Sequence, residues 1–418
     1  MWKNARIFVG RPGEKERALL MEGGSDGRWA PPGVLLFARE GNLRAARLDA
    51  KGLTLSGESA SVLEGVRQRI YGTDGARETG MVQVALAKEG LIAWAPGSIN
   101  LPIAQAKVWV DASGKETPLE GGAITGTVSG SRVSADGKRV LLNYNYPGVQ
   151  TEVVDLARGV RRQATFDVYP GWPIWGPGPD QFTFTSDHEG PQALYTRKLD
   201  AGPEEIETLW KPADGSVCCL GLGSWSRDGK VLAFVRRSPT AQQDIWILET
   251  GKEPRPLIAT RFNEQWPDIS PDGRWLLYTS DASGRNEVFV KALSGEGNTI
   301  HVSSGKGIMP LWSRDGANIY YWQPVEGKPA FFMALFRVPV TKTGGSLSFG
   351  VPVRLFEGRY VSSGPGHIWD VAPDGRFLVG KPPEEAALHT YWDKVLSNRI
   401  IVDTGGVERL MAQVEKRP

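Results

Sequence analysis

Five copies of one short phrase constrain this chain more than any other feature. They are Ser134-Ala135-Asp136-Gly137, Ser226-Arg227-Asp228-Gly229, Ser270-Pro271-Asp272-Gly273, Ser313-Arg314-Asp315-Gly316 and Ala372-Pro373-Asp374-Gly375. The aspartates lie 92, 44, 43 and 59 residues apart, and a worn copy, Gly176-Pro177-Gly178-Pro179-Asp180, splits the 92 into 44 and 48. A period of about 45 residues means one supersecondary unit copied many times. Asp-Gly supplies a local side-chain hydrogen bond and a tolerated positive φ, so each copy reads as a tight turn.

One unit shows what is repeated. Trp266-Pro267-Asp268-Ile269 leads into the turn at 270–273, and Trp275-Leu276-Leu277-Tyr278-Thr279-Ser280 follows, too short and too aromatic for a helix. A polar turn leads to Glu287-Val288-Phe289-Val290, and another to Thr299-Ile300-His301-Val302. Four short strands joined by tight turns leave no room for a crossover helix. The expected fold is therefore all-β: a single closed β-propeller of four-stranded antiparallel blades over residues 1–418. The repeats divide into eight blades, with seven the alternative. Residues 1–21, or Arg399 to Asp403, are expected to complete the last blade, which carries the Asp374 turn. Apolar residues at 407, 410, 411 and 414 predict a short C-terminal helix over 404–418, packed on the rim.

Composition agrees, with 51 Gly and 29 Pro serving many turns. Trp175, Trp225 and Trp312 each stand directly before a turn, which reads as packing between blades. The net charge of +2, with no basic stretch interleaved with aromatics, argues against a nucleic-acid partner. No apolar run approaches the length of a membrane span, and the first residues hold no signal core, so the chain as written is expected to be cytoplasmic and monomeric. Cys218-Cys219 reads as a buried strand pair rather than a bridge, since vicinal cysteines strain a disulfide.

The Trp/Ser-x-Asp-Gly-Lys/Arg turn, followed by an apolar strand and an Asp244-Ile245-Trp246-Ile247 type strand, resembles TolB-like propeller repeats across almost the whole chain. Phrases such as Ser283-Gly284-Arg285-Asn286-Glu287-Val288 and Leu355-Phe356-Glu357-Gly358-Arg359-Tyr360 are similar to propeller regions behind Ser/Thr kinase domains of some soil bacteria. The resemblance implies binding of a peptide, a protein segment or a small molecule at the axis, and a periplasmic setting for a longer parent. The chain has no kinase motifs and an incomplete first repeat. The turn motif is structural, so it transfers fold rather than activity.

Loops joining the fourth strand of one blade to the first of the next are expected at the axial mouth. They offer Arg77, Tyr169, Trp172, Asn263, Trp266 and Tyr360 as ligand-binding residues. Glu78, Asp167, Asn263 and Glu264 supply hard oxygen donors suited to Ca²⁺. Around such an ion, His367, Glu264 and Asp167 are the candidate catalytic groups of a hydrolase acting on lactones, esters or phosphotriesters. The plain alternative is solvated loop polarity, with Arg261 pairing Glu264. No Gly-x-Ser-x-Gly elbow and no P-loop is present. Binding is the reading favoured over catalysis, because the scaffold accounts for every repeated residue without a reaction.

Overall fold

The structure is a computed structural model that describes residues 5–10, 17–30, 33–39, 42–49, 51–63, 66, 82, 84–86, 92–94, 106–121, 127–146, 150–165, 170–178, 180–187, 192–202, 205–213, 219–237, 243–328, 332–361, 366–382 and 401–403. Every regular element among them is a strand. The expected helix at 404–418 lies outside the described residues. No helix among the described residues is long and apolar enough to cross a membrane.

The repeated phrase folds the same way each time. In four copies the serine Oγ donates to the aspartate two residues on: Ser134 to Asp136 at 2.5 Å, Ser226 to Asp228 at 2.7 Å, Ser270 to Asp272 at 2.6 Å and Ser313 to Asp315 at 2.5 Å. The same Oγ accepts the N–H five residues on, at 2.9–3.0 Å. Each turn glycine sits near φ +70, a conformation that costs a side-chain-bearing residue. The serine hydroxyls hold the Asp228 and Asp315 carboxyls below their usual pKa, as expected when hydrogen bonds favour the charged form. The turn is thus a closed side-chain knot that starts the second strand at a fixed residue.

The chain divides into two compact units, residues 102–383 and residues 1–101 with 384–418. In the first, four-stranded antiparallel sheets cover residues 127–163 (sheet 1), 171–210 (sheet 2), 219–258 (sheet 3) and 264–301 (sheet 4). Sheet 5, residues 308–359, has five strands because Phe332–Thr343 is long enough to pair Val353–Arg359 with one half and Ser346–Phe349 with the other. Sheet 6 joins the two ends of the unit. Its order is Glu116–Pro118, Ala106–Val110, Phe377–Lys381, Asp370–Val371, with Val108 opposite Val379 and Val110 opposite Phe377.

Six buried clusters link these sheets in a cycle. Leu141 and Val153 of sheet 1 meet Phe182, Phe184 and Tyr195 of sheet 2. Sheets 2 and 3 share Leu194 and Phe234, sheets 3 and 4 share Ile247 and Leu276, and sheets 4 and 5 share Val290 and Tyr321. Trp322 packs on Trp369 and Phe356 on Phe377 between sheets 5 and 6, and Trp109 and Leu378 meet Val140 and Leu142 between sheets 6 and 1. Each sheet buries both faces on neighbours, so its alternation is apolar on both sides.

This corrects the expected count. Six sheets complete a cycle within 102–383, where eight in one ring had been expected. The partner of the Asp374 repeat is Ala106–Val110, not the N-terminal strands or residues 399–403. Those segments pair elsewhere: Arg6–Gly10 with Arg17–Glu22, and Ile401–Asp403 with Ile92–Trp94. In that second unit, Ser25–Leu63 forms one more four-stranded sheet. Its Leu36, Ala38 and Ala45 pack on Val66, Val82 and Ile92, while Leu35 and Phe37 pack on Ile7.

Replacing Ser270 by Ala strands the Trp275 N–H and takes one hydrogen bond from the Asp272 carboxylate, which keeps Lys342 and the Arg274 N–H. Unfolding free energy from urea titration is expected to drop by about 1–3 kcal/mol, and an unchanged midpoint would contradict the knot.

Candidate functional site

The first strands of the six sheets lie side by side and form the axis of the 102–383 unit. A β-bulge interrupts five of them: between Val128 and Gly130, Gly171 and Ile174, Leu222 and Ser224, Gln265 and Asp268, and Ile308 and Leu311. In three of these strands the residue before a proline takes positive φ: Trp172 (+43), Trp266 (+50) and Met309 (+51). Such residues cost about 1–3 kcal/mol each and persist only where packing enforces them. Gly223 shows the crowding: a Cβ there would lie 2.3 Å from the Pro267 carbonyl oxygen.

Each boundary between neighbouring sheets carries a hydrogen bond from one sheet to the next. The Trp175 indole donates to the Arg132 carbonyl at 3.0 Å, and the Trp225 indole to Thr183 Oγ1 at 2.9 Å. The Ile269 N–H donates to Ser224 Oγ at 2.7 Å, and the Trp312 N–H to Asp268 Oδ2 at 2.8 Å. The Trp369 indole donates to the Met309 carbonyl at 3.0 Å, and the Val133 N–H to Asp370 Oδ2 at 2.8 Å. The tryptophans before the turns therefore staple sheets together as well as packing between them.

Charge collects along this axis. Asp370 faces Arg314 Nη2 at 3.2 Å and Arg132 Nε at 3.8 Å. Arg314 also donates to the carbonyls of Val371 and Val133, at 3.0 Å each. Asp268 is buried, and burial pushes its carboxyl pKa up while Arg132 opposes the rise. Arg132 is 8% exposed, and its Nη1 meets no partner among the described residues. Lys107, also buried, donates to the Ile368 carbonyl at 2.8 Å and Ser131 Oγ at 3.2 Å, and burial lowers its pKa to about 7.

The axis opens into a cavity of about 270 Å³ at the end where the Asp-Gly turns stand. Five first strands and their turns line it, with Arg132, Arg227, Arg314, Trp175, Trp225 and Trp312 among the walls. Residues at the second turn position face it: Ala135, Pro177, Arg227, Pro271 and Arg314. These positions alternate around the ring. Pro177, Pro271 and Pro373, from sheets 2, 4 and 6, stand against turn glycines Gly229, Gly316 and Gly137 of sheets 3, 5 and 1. Ala135, Arg227 and Arg314 occupy the odd sheets.

A second hollow, of about 440 Å³, lies beside sheet 4 and is walled by Leu257, Thr260, Phe262, Glu264, Tyr278 and Phe289 among others. Glu264 is 1% exposed. Its Oε1 accepts the Thr260 hydroxyl at 2.6 Å and the Ser280 hydroxyl at 3.4 Å, while Oε2 has no partner among the described residues. Burial pushes its carboxyl up to about 7, against the pull of Thr260, and the Asp244 carboxylate adds to the rise.

The residues expected at the axial mouth fare differently. Arg77, Glu78, Asp167 and Tyr169 lie outside the described residues, as do His188, His389, Cys218 and the Cys219 side chain. Glu264 and Asn263 do not converge. Asn263 spends its N–H and its side-chain amide on Asp281, at 2.8 and 2.7 Å, while Glu264 turns into the slot beside sheet 4. Arg261 stacks over Phe262 at 5.0 Å. Tyr360 is a core residue whose hydroxyl bonds Glu116 Oε1 at 2.9 Å. Trp172 and Trp266 hold bulge positions, Trp172 close against Gly366. His367 is buried on the axis but lines neither hollow. Among the described residues neither ring nitrogen makes a hydrogen bond of ordinary geometry, and burial, then the Arg132 guanidinium, holds its pKa well below the usual value against a weaker pull from the Pro267 backbone. Its carbonyl receives the Ser131 N–H at 3.0 Å, so its backbone serves the sheet 6–sheet 1 boundary. Among the described residues no group of three His, Cys, Asp or Glu is arranged to hold a metal ion. Arg132, Arg227, Arg314, Asp268, Asp370 and Lys107 were missed from sequence, although the alternation of Pro with Ala or Arg at the second turn position was readable there.

Among solved structures, a TolB-type protein from Agrobacterium tumefaciens superposes with a TM-score of 0.54 at 17% identity, covering 68% of this chain and 99% of that one. The fold is TolB-like. TolB from Acinetobacter baumannii matches at a TM-score of 0.41 and 18% identity, covering 65% of this chain and 62% of that one. An oligogalacturonate lyase from Vibrio parahaemolyticus matches at 0.44 and 12% identity, covering 72% and 96%. No family model matches the chain.

The Glu264 pKa gives a stability signature. The folded group keeps its proton from 4.5 to about 7, a range in which the unfolded chain loses it. Its contribution is therefore complete below pH 4.5 and is lost as pH rises through 7, by a few kcal/mol at most, roughly. Glu264→Gln is expected to lose less stability than the parent between pH 5 and pH 8 in urea titrations. Parallel losses would refute the assignment.

Proposed function

We propose that residues 102–383 act as a binding module that holds a peptide segment or small molecule at the axis, in the hollow ringed by the Asp-Gly turns. The observation that carries this reading is the cavity itself. Five strands converge on it with indole walls and a buried guanidinium nitrogen left without a partner among the described residues. A concave hollow with convergent polar groups is the usual place for a ligand site, and here arginines, serines and Asp268 stand among the indoles. Most of the polar groups around it are already engaged: Asp268 and Arg314 join sheets, and Ser226, Ser270 and Ser313 donate to the aspartates of their own turns. This favours recognition over reaction. The fold likeness to TolB agrees with a binding scaffold but selects no ligand.

The Ca²⁺-dependent hydrolase reading rests on Glu78 and Asp167 joining Asn263 and Glu264. The amide of Asn263 is already spent on Asp281, and nothing in the geometry of the described donors favours this reading over binding.

Trp175, Trp225 and Trp312 make the cavity its own fluorescent probe. Peptides and small organic molecules that quench or shift this emission are expected to lose at least about tenfold in affinity in Ala135→Trp, where an indole fills the mouth. Ligands that bind this variant as tightly as the parent would place recognition elsewhere and end the proposal.

A further inference from the structure

We infer that the turn-lined end of the axis selects for a carboxylate, with Arg227 as the first contact and Arg132 beneath it. This deepens the binding reading and rests on it. Three arginines and two aspartates belong to this end. Asp370 is satisfied by the Val133 N–H, Arg314 and Arg132, and Asp268 by the Trp312 N–H. That pairing leaves one positive charge in excess. Arg314 is committed, since its Nε and Nη2 reach two carbonyls and Asp370. Arg227 is exposed and lines the cavity, with no hydrogen bond or ion pair described for it. Arg132 lies deeper, its Nη1 buried and unpartnered among the described residues, a donor whose burial is costly until an acceptor arrives. The Asp228 carboxylate beside Arg227 does not cancel it locally, because its charge is paired with the Lys230 ammonium at 3.4 Å.

The ligand class follows from these donors. A guanidinium presents a planar fork that fits a carboxylate with two parallel bonds. The indoles of Trp175, Trp225 and Trp312 provide flat apolar walls for the group that carries it. A free organic acid, a peptide C-terminus and an acidic side chain share this chemistry. The alternation at the second turn position explains why selectivity sits at the odd sheets: prolines at the even ones are spent packing on turn glycines.

The test compares paired probes by tryptophan emission in the full chain. 4-Phenylbutyrate is set against 4-phenylbutyramide, and a short aromatic peptide with a free C-terminus against its amide. The same peptide with a C-terminal amide and one internal glutamate forms the third arm. The acids are expected to bind at least about fivefold tighter than the amides at low salt, with the preference shrinking as salt rises. Arg227→Gln, an exposed change, is expected to erase that preference without altering the unfolding midpoint. Arg132→Gln is expected to weaken every acid, with folding checked by its circular dichroism. Equal binding of acid and amide, an unchanged preference in Arg227→Gln, or no acid binding at about 10 mM would overturn the inference. Amides that bind as well as acids, yet are lost in Ala135→Trp, would leave the binding module standing and remove only its charge selection. Probes indifferent to Ala135→Trp would remove both. The third arm separates a terminal carboxylate from a side-chain one.

Discussion

The pairing of Phe377–Lys381 with Ala106–Val110 is the contact on which the rest of residues 102–383 depends. It joins strands more than 250 residues apart in sequence into one sheet. Without it, sheets 1 and 5 would each expose a face built for burial, and the cycle of six clusters would be an open stack. Antiparallel scaffolds avoid exposed edges by closing on themselves, and here closure rests on five ladder pairs with Phe377 and Trp109 behind them. The axis follows from closure. Arg314 in sheet 5 reaches the Val371 carbonyl in sheet 6 and the Val133 carbonyl in sheet 1 only because those sheets are brought side by side.

Inside that closed cycle, polar chemistry is used mainly for joining. Asp268, Asp370 and Ser224 each take a backbone N–H from the neighbouring sheet, and the indoles of Trp175, Trp225 and Trp369 give one to it. A buried aspartate is expensive unless it is satisfied. Asp370 is satisfied by two arginines and an amide, which makes it an anchor rather than a reagent. His367 fits the same account, neutral and enclosed.

Much of the fold was legible in the sequence, because its information is local. The serine and aspartate of each turn lie two residues apart, and the strand after it is an unbroken apolar run. The closing partner was not legible. Ala106–Val110 differs little from other apolar runs, and the choice among them is made by packing over a long sequence separation. The separate positions of Glu264 and Asp268 were not legible for a related reason. Simple alternation puts Glu264, Trp266 and Asp268 on one face of a strand. The bulge between Gln265 and Asp268 inserts an extra residue opposite Leu277–Thr279, so the parity changes midway. Asp268 then joins the axis, while Glu264 enters the slot beside sheet 4. No propensity scale marks that slip, although the Trp-Pro pairs at 172–173 and 266–267 are its trace.

The prolines at alternate turns divide labour around the ring. Pro177, Pro271 and Pro373 are held by the glycine each one touches, so a change there disturbs two sheets at once. Positions 135 and 227 carry no such obligation. A lineage built on this scaffold has two side chains at the mouth that it can exchange freely, acquiring new tastes while the frame that presents them stays as it was.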